Sequence, residues 1–184
     1  MTEISIELPD EASTLRLARA IMSRLAPGGL IFLRGSLGAG KTCFVRGCLR
    51  QAGYQGAVKS PTFTLVEPYS LPGGRVYHFD LYRLNDPEEL EWMGIRDYLE
   101  SEAICFMEWP ERGEGCLPRP DLDIDLQYAG SGRRATLRGV SPRGVELLAA
   151  LDLSGEFRSG GVEPDARAER DQRGAQAVVQ ASDP

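Results

Sequence analysis

The chain has 184 residues, 42 % hydrophobic and 26 % charged, which is the balance of one soluble globular domain with room for a core. Its net charge of −6 excludes a nonspecific grip on a nucleic-acid backbone, which needs basic surface, so any role near RNA has to run through a partner. The start, Met1-Thr2-Glu3-Ile4-Ser5-Ile6, lacks the basic stretch and apolar core of a secretory signal, and no apolar run reaches the length of a membrane span, so a cytoplasmic protein with no membrane contact is expected.

In chain order, Ile4, Ile6 and Leu8 alternate as in a strand. Asp10 to Leu25 carries Leu15, Leu17, Ala18, Ile21, Met22 and Leu25 at helical spacing, with Asp10 or Ser13 as the cap and Pro27-Gly28-Gly29 as the stop. Leu30 to Leu33 is a short apolar strand, and Thr42 to Leu49 a helix that ends near Gly53. Gly53 to Thr62 reads as loop. Thr64 to Tyr69 and Arg75 to Tyr82 read as a hairpin joined by Leu71-Pro72-Gly73-Gly74.

Asp86-Pro87-Glu88-Glu89 opens a helix, with Pro near its start and acids in the first turn, and a second short helix is expected over Ile95 to Leu99. Ala103 to Met107 is a continuous apolar run that suits a buried strand. Leu122 to Tyr128 and Ala135 to Val140 alternate around Ser131-Gly132 as another hairpin, and Val145 to Leu153 closes the domain as a helix. From Ser154 the chain turns polar, with Phe157 its one aromatic residue. That composition buries too little apolar surface to offset ordering entropy, so a disordered tail over 154–184 is expected after a domain over 1–153. The cysteines at 43, 48, 105 and 116 have no C-x-x-C spacing. Cys43, Cys48 and Cys105 read as small core residues, Cys43 also as a redox handle.

Between the Leu30–Leu33 strand and its following helix, residues 35–42 read Gly-Ser-Leu-Gly-Ala-Gly-Lys-Thr, the phosphate-loop pattern G-x-x-x-x-G-K-[ST] in the strand–loop–helix context it needs. The glycines let the backbone wrap an anion, successive N–H groups and the helix N-terminus face it, Lys41 adds a point charge at the β and γ phosphates, and the Thr42 hydroxyl suits Mg²⁺. Lysine occurs only at 41 and 59, all other basic residues being arginine, so a compact ammonium is kept where the motif needs one.

Two acids are candidates to complete the site. Glu108 ends the run Ile104-Cys105-Phe106-Met107, as an acid does where a parallel strand reaches a ligand crevice; the plainer alternative is a capped strand end. Asp80 lies in His78-Phe79-Asp80-Leu81-Tyr82-Arg83, where strand geometry puts His78, Asp80 and Tyr82 on one face. That face reads either as a site for metal-bound or attacking water or as a polar sheet face with a His78–Asp80 hydrogen bond. His78, the lone histidine, reads as an orienting group, because Mg²⁺ prefers oxygen. In Ser60-Pro61-Thr62, Thr62 is either a switch residue reaching the metal or γ-phosphate or part of a plain turn. Trp109 is either a core plug or an aromatic wall beside the nucleotide or a partner.

Gly35–Thr42 together with Lys59-Ser60-Pro61-Thr62-Phe63-Thr64-Leu65-Val66, His78–Leu84, Glu88-Glu89-Leu90, Met93-Gly94-Ile95 and Ile104–Pro110, in this order and spacing, resemble the TsaE family. These are bacterial ATPases of tRNA threonylcarbamoyladenosine synthesis. The resemblance spans about residues 3–150. It implies an α/β P-loop NTPase-like three-layer fold with a mixed central sheet, and weak Mg²⁺-dependent ATP hydrolysis. It implies service to a TsaB–TsaD complex that modifies adenosine beside the anticodon, with tRNA met only through that complex. It places the nucleotide on Ser36, Leu37, Gly38, Ala39, Gly40, Lys41, Thr42 and Cys43 with Thr62 and Trp109, the metal on Thr42, Glu108 and Asp80, and the chemistry on Asp80, Glu108 and Lys41. Ser36 departs from the family, where Asp is frequent after the first glycine; that removes a loop charge but no phosphate-facing N–H.

Three other readings compete. A small-molecule or nucleoside kinase needs an acceptor pocket and an Arg-bearing lid, and the sequence has no lid-like insertion. A guanine switch needs Asn-Lys-x-Asp, which neither lysine provides. A nucleotide sensor that does not hydrolyse differs from the ATPase only in rate.

Overall fold

Among residues 2–99 and 102–153, which the computed structural model describes, seven strands form one mixed sheet. They are β1 (Thr2–Leu8), β2 (Leu30–Arg34), β3 (Val66–Leu71), β4 (Gly74–Asp80), β5 (Ile104–Glu108), β6 (Leu122–Ala129) and β7 (Gly132–Gly139), in the spatial order β1-β7-β6-β2-β5-β4-β3. The central run β6-β2-β5-β4 is parallel, and β1, β7 and β3 pair antiparallel with their neighbours. The helices are α1 (Glu11–Met22), α2 (Lys41–Gln51), α3 (Glu89–Trp92), α4 (Ile95–Leu99) and α5 (Pro142–Leu153), with a 3-10 turn at Pro110–Gly113. The reading of 154–184 as a separate tail lies outside the described residues.

β2 is apolar without alternation because both its faces are covered. Ile31 and Leu33 pack with Phe44 and Val45 of α2 and Leu17 and Ile21 of α1; Leu30 and Phe32 join Phe79, Met107, Leu90 and Ile95 on the opposite face. β6 alternates instead. Leu122, Ile124 and Leu126 are fully buried, while Asp123 points outward to receive Arg34 at 3.0 Å. At the edge, the register partners Glu7–Arg134 and Glu3–Arg138 form ion pairs at 2.6 Å, exposed and therefore worth little. Asp10 caps α1 by accepting from the Ser13 N–H at 2.7 Å. Among the described residues no helix is long and apolar enough to cross a membrane.

Three departures from the sequence reading matter for the site. β3 starts at Val66 rather than Thr64, because the N–H groups of Thr64 and Leu65 both turn back to the Pro61 carbonyl (3.1 and 2.7 Å) and Leu65 is left-handed at φ +62°. β4 ends at Asp80, so Tyr82 lies past the strand and does not share the face of His78 and Asp80. The cause is local: Asp80 Oδ1 accepts the Tyr82 N–H at 3.0 Å and ends the extended run. β5 extends through Glu108 instead of stopping at Met107, with Glu108 paired laterally to Leu33 and Asp80.

Candidate active site

The strand-to-helix loop at 35–40 is built around backbone that side chains would obstruct. Gly35 has φ +125°, and a Cβ there would lie 2.2 Å from the Leu126 carbonyl oxygen of β6. Gly40 takes φ +110° as the N-cap of α2 and offers no side-chain cap, so the first N–H groups of the helix lack intrahelical partners. Lys41, the first residue of α2, is only 4 % exposed. Its Nζ donates to the carbonyls of Gly35 (2.7 Å) and Ser36 (3.0 Å) and lies 4.0 Å from the centre of the Trp109 ring. Burial pushes the Lys41 ammonium below the usual lysine range, and the charges of Glu108 and Asp80 oppose that fall.

Glu108 and Asp80, each 3 % exposed, are register partners at the carboxyl ends of β5 and β4. Glu108 Oε1 accepts the Thr42 hydroxyl at 2.8 Å and meets His78 Nε2 at 2.9 Å. His78 is fully buried and its Nδ1 has no partner among the described residues, an arrangement that fits the tautomer with the proton on Nε2. Asp80 Oδ2 accepts from Thr62 at 2.7 Å and from Ser60, whose hydroxyl also meets that of Thr62 at 2.7 Å. The strand ends are fastened across the sheet by the Leu81 N–H on the Glu108 carbonyl (3.1 Å) and the Trp109 N–H on the Leu33 carbonyl (3.3 Å).

A cavity of about 290 Å³ opens between these groups, with Leu37, Gly38, Gly40 and Lys41 on one side and Thr42, Thr62, Asp80, Glu108 and Trp109 on the other. A cavity of about 330 Å³ at the opposite end of the sheet, beside Leu25, Asp121 and Arg143, holds no phosphate-type loop, so size does not identify the site. The hydroxyl of Thr42 and the carboxylates of Glu108 and Asp80 make an all-oxygen donor set that fits Mg²⁺. Among the described residues no group of three His, Cys, Asp or Glu side chains forms a metal cage.

The structure thus brings Lys41, Thr42, Thr62, Asp80, Glu108 and Trp109 to one cavity. Leu37, Gly38, Gly40 and Cys43 line it, Ser36 faces the Lys41 ammonium through its carbonyl, and Ala39 is buried beneath the loop. Two alternatives resolve differently from a polar sheet face. His78 bonds Glu108 on the neighbouring strand and not Asp80, and Tyr82 packs against Trp109 with ring centres 5.0 Å apart. Cys43 is half-buried at the cavity wall rather than in the core, and burial raises its thiol above the usual range, contrary to a reactive thiolate. Sequence reasoning missed three contributors. Ser60 was read only as part of its loop, and Tyr128 and Arg133, which touch the outside of the phosphate loop, carry no local signal because strand pairing alone brings them there.

A glycine-rich loop joining a buried parallel strand to a helix, with acids at the ends of the next two strands, defines a P-loop-type α/β protein. Comparison with known proteins narrows the class. The model of the family described as "Threonylcarbamoyl adenosine biosynthesis protein TsaE" matches residues 8–136. The chain is 44 % identical over 156 residues to the tRNA threonylcarbamoyladenosine biosynthesis protein TsaE of Haemophilus influenzae, covering 82 % of this chain and 99 % of that one. It is 35 % identical over 126 residues to the Bacillus subtilis TsaE, covering 68 % and 77 %. The crystal structure of Bacillus subtilis YdiB superposes with a TM-score of 0.72 at 27 % identity, over 84 % of this chain and 97 % of that one. The chain belongs to the TsaE family.

Proposed function

We propose that this protein binds ATP with Mg²⁺, hydrolyses it slowly, and couples that cycle to a TsaB–TsaD complex in the cytoplasm that transfers threonylcarbamoyl to an adenosine beside the tRNA anticodon. Family membership supports the part in threonylcarbamoyladenosine biosynthesis. The observation that carries the ATPase reading is the 2.8 Å hydrogen bond from Thr42, at the start of α2, to Glu108, at the end of β5, in a cavity walled by the phosphate-type loop.

In this reading the loop N–H groups and Lys41 hold the β and γ phosphates. Lys41 leaves the Gly35 and Ser36 carbonyls to do so. Thr42, Glu108 and Asp80 are the residues that would hold Mg²⁺, which supplies neutralisation of the phosphate charge when bound. His78 keeps Glu108 oriented, and Asp80, held by Thr62 and Ser60, orients the attacking water. Trp109 shields the Lys41 side of the cavity from solvent. The net charge of −6 disfavours a nonspecific grip on RNA, so in this reading tRNA is reached through the complex.

The test is ATP turnover by the chain with and without TsaB and TsaD, together with their association with and without nucleotide. Alone, the chain should turn over well below the roughly 10 s⁻¹ typical of enzymes. The partners should change that rate, and ATP should change partner binding, because coupling between two binding events is reciprocal. If neither responds, the protein is an independent nucleotide sensor or, should phosphoryl transfer to a small acceptor appear, a kinase.

A further inference from the structure

A phosphate-binding loop works only if its carbonyls point away from the anion, since a carbonyl oxygen turned inward would repel phosphate. Here each carbonyl from Gly35 to Gly40 has a donor within the protein. Lys41 Nζ takes those of Gly35 and Ser36, the Ala39 N–H also takes that of Ser36 at 3.1 Å, and the Phe44 N–H takes that of Gly40 at 2.9 Å. The Lys41 bonds are provisional, because the same ammonium has to turn to the ligand.

The three carbonyls at the crown of the loop are held by side chains. They are held from outside by the β6–β7 hairpin. Tyr128 Oη donates to the Leu37 carbonyl at 3.1 Å. One edge of the Arg133 guanidinium spans the next two, NH2 to Gly38 at 3.2 Å and Nε to Ala39 at 3.1 Å. NH1 of the same group donates to the Gly132 carbonyl at 2.8 Å, which anchors it to its own strand. Tyr128 and Arg133 are register partners across the hairpin, and the guanidinium carbon lies 3.9 Å from the centre of the Tyr128 ring, so each fixes the other. The planar fork meets the Gly38 and Ala39 carbonyls with two donors on one edge while a third donor holds the Gly132 carbonyl, a spread that the single nitrogen of an ammonium does not have.

We propose that Tyr128 and Arg133 are positioning residues that brace the crown of the phosphate loop, holding the carbonyls of Leu37, Gly38 and Ala39 outward so that the N–H groups stay aimed at phosphate when Lys41 leaves for the ligand. The inference rests on the nucleotide reading above.

The full-length protein and its variants are titrated calorimetrically with Mg-ATP and, separately, with inorganic tripolyphosphate, and melting is recorded for each. Arg133→Ala should raise Kd about tenfold for both probes by the same factor, because the loss lies in the phosphate cradle. Arg133→Lys should be nearly as weak, since one ammonium nitrogen does not span the Gly38, Ala39 and Gly132 carbonyls together. Tyr128→Phe removes one hydroxyl from an exposed ring and should raise Kd about threefold with melting unchanged, so it tests the brace even if Arg133→Ala fails to fold. Parental affinity in Arg133→Ala or Tyr128→Phe overturns the proposal, and so does full recovery in Arg133→Lys. Loss of ATP affinity with tripolyphosphate affinity intact also overturns it, placing these residues on the nucleoside instead. If the parent binds neither probe, the nucleotide reading itself falls, and the brace with it.

Discussion

Asp80 and Glu108 lie side by side at the ends of adjacent parallel strands, yet their carboxylates take different hydroxyls. Glu108 holds Thr42 of the helix after the phosphate loop, whereas Asp80 holds Ser60 and Thr62 of the segment that follows that helix. One pair of laterally paired residues therefore gathers the start of α2 and the segment that follows that helix onto a single cavity. It also separates two roles that spacing along the sequence left merged.

Isosteric amides separate these roles from simple charge loss. Asp80→Asn and Glu108→Gln should each keep measurable ATP affinity, because the loop supplies most of the ground-state grip, while hydrolysis falls about a hundredfold or more. Single-turnover assays with radiolabelled ATP would decide it; parental turnover in either variant would make that acid structural. Glu108→Ala should also lose about 1–3 kcal/mol of stability in denaturant melts relative to Glu108→Gln, since it leaves the buried His78 Nε2 and Thr42 hydroxyl without their acceptor.

Lys41→Ala should abolish Mg-ATP binding. It should also cost about 1 kcal/mol of stability, because the carbonyls of Gly35 and Ser36 lose their ammonium donor. Calorimetry and thermal melting report the two effects separately, and unchanged affinity with unchanged turnover would remove Lys41 from the site.

Gly35→Ala should be among the most damaging single-methyl changes in the chain. It combines a left-handed φ of +125° with a Cβ placed 2.2 Å from the Leu126 carbonyl, backbone that moves only if β6 moves. A loss of at least about 2 kcal/mol is expected from the urea midpoint. A parental midpoint would mean that the loop and β6 part easily.

Asp10 supplies a pH-dependent contribution to α1. Its carboxyl lies below the ordinary aspartate range, chiefly because it accepts the Ser13 hydroxyl and then the Ser13 N–H. A folded-state pKa below the unfolded value of 3.8 means the stabilisation is fully present above about pH 4 and is lost as pH falls through the depressed value. The melting temperature of the parent should therefore drop more steeply than that of Asp10→Asn on acidification from pH 5 to about pH 3. Parallel pH profiles for the two would show that the cap carries no charge-dependent stability.

How far the molecule was legible from its residues depends on whether a contact is local or lateral. The phosphate loop was legible because phosphate binding uses consecutive N–H groups, so Gly35 to Thr42 carry their geometry within one short segment. The apolar runs at Leu30–Leu33 and Ile104–Met107 likewise announced strands covered on both faces. Strand periodicity put His78 and Asp80 on one face, as they are, but it could not say that His78 would reach sideways to Glu108. That depends on β5 lying next to β4, and strand order is decided by packing across the whole sheet. Tyr82 was misplaced because an Asp80 side chain, not a hydrophobic pattern, ends the strand. Tyr128 and Arg133 were invisible for the same reason as the His78–Glu108 pair. They lie some ninety residues from the loop carbonyls they hold, and only the pairing of β6 with β2 brings the hairpin behind the loop. The sequence alone therefore determined the loop, lysine and threonine on which the proposed phosphate site is built. Which groups hold those in place was decided by tertiary structure, because side chains distant along the chain become neighbours only when the sheet is assembled.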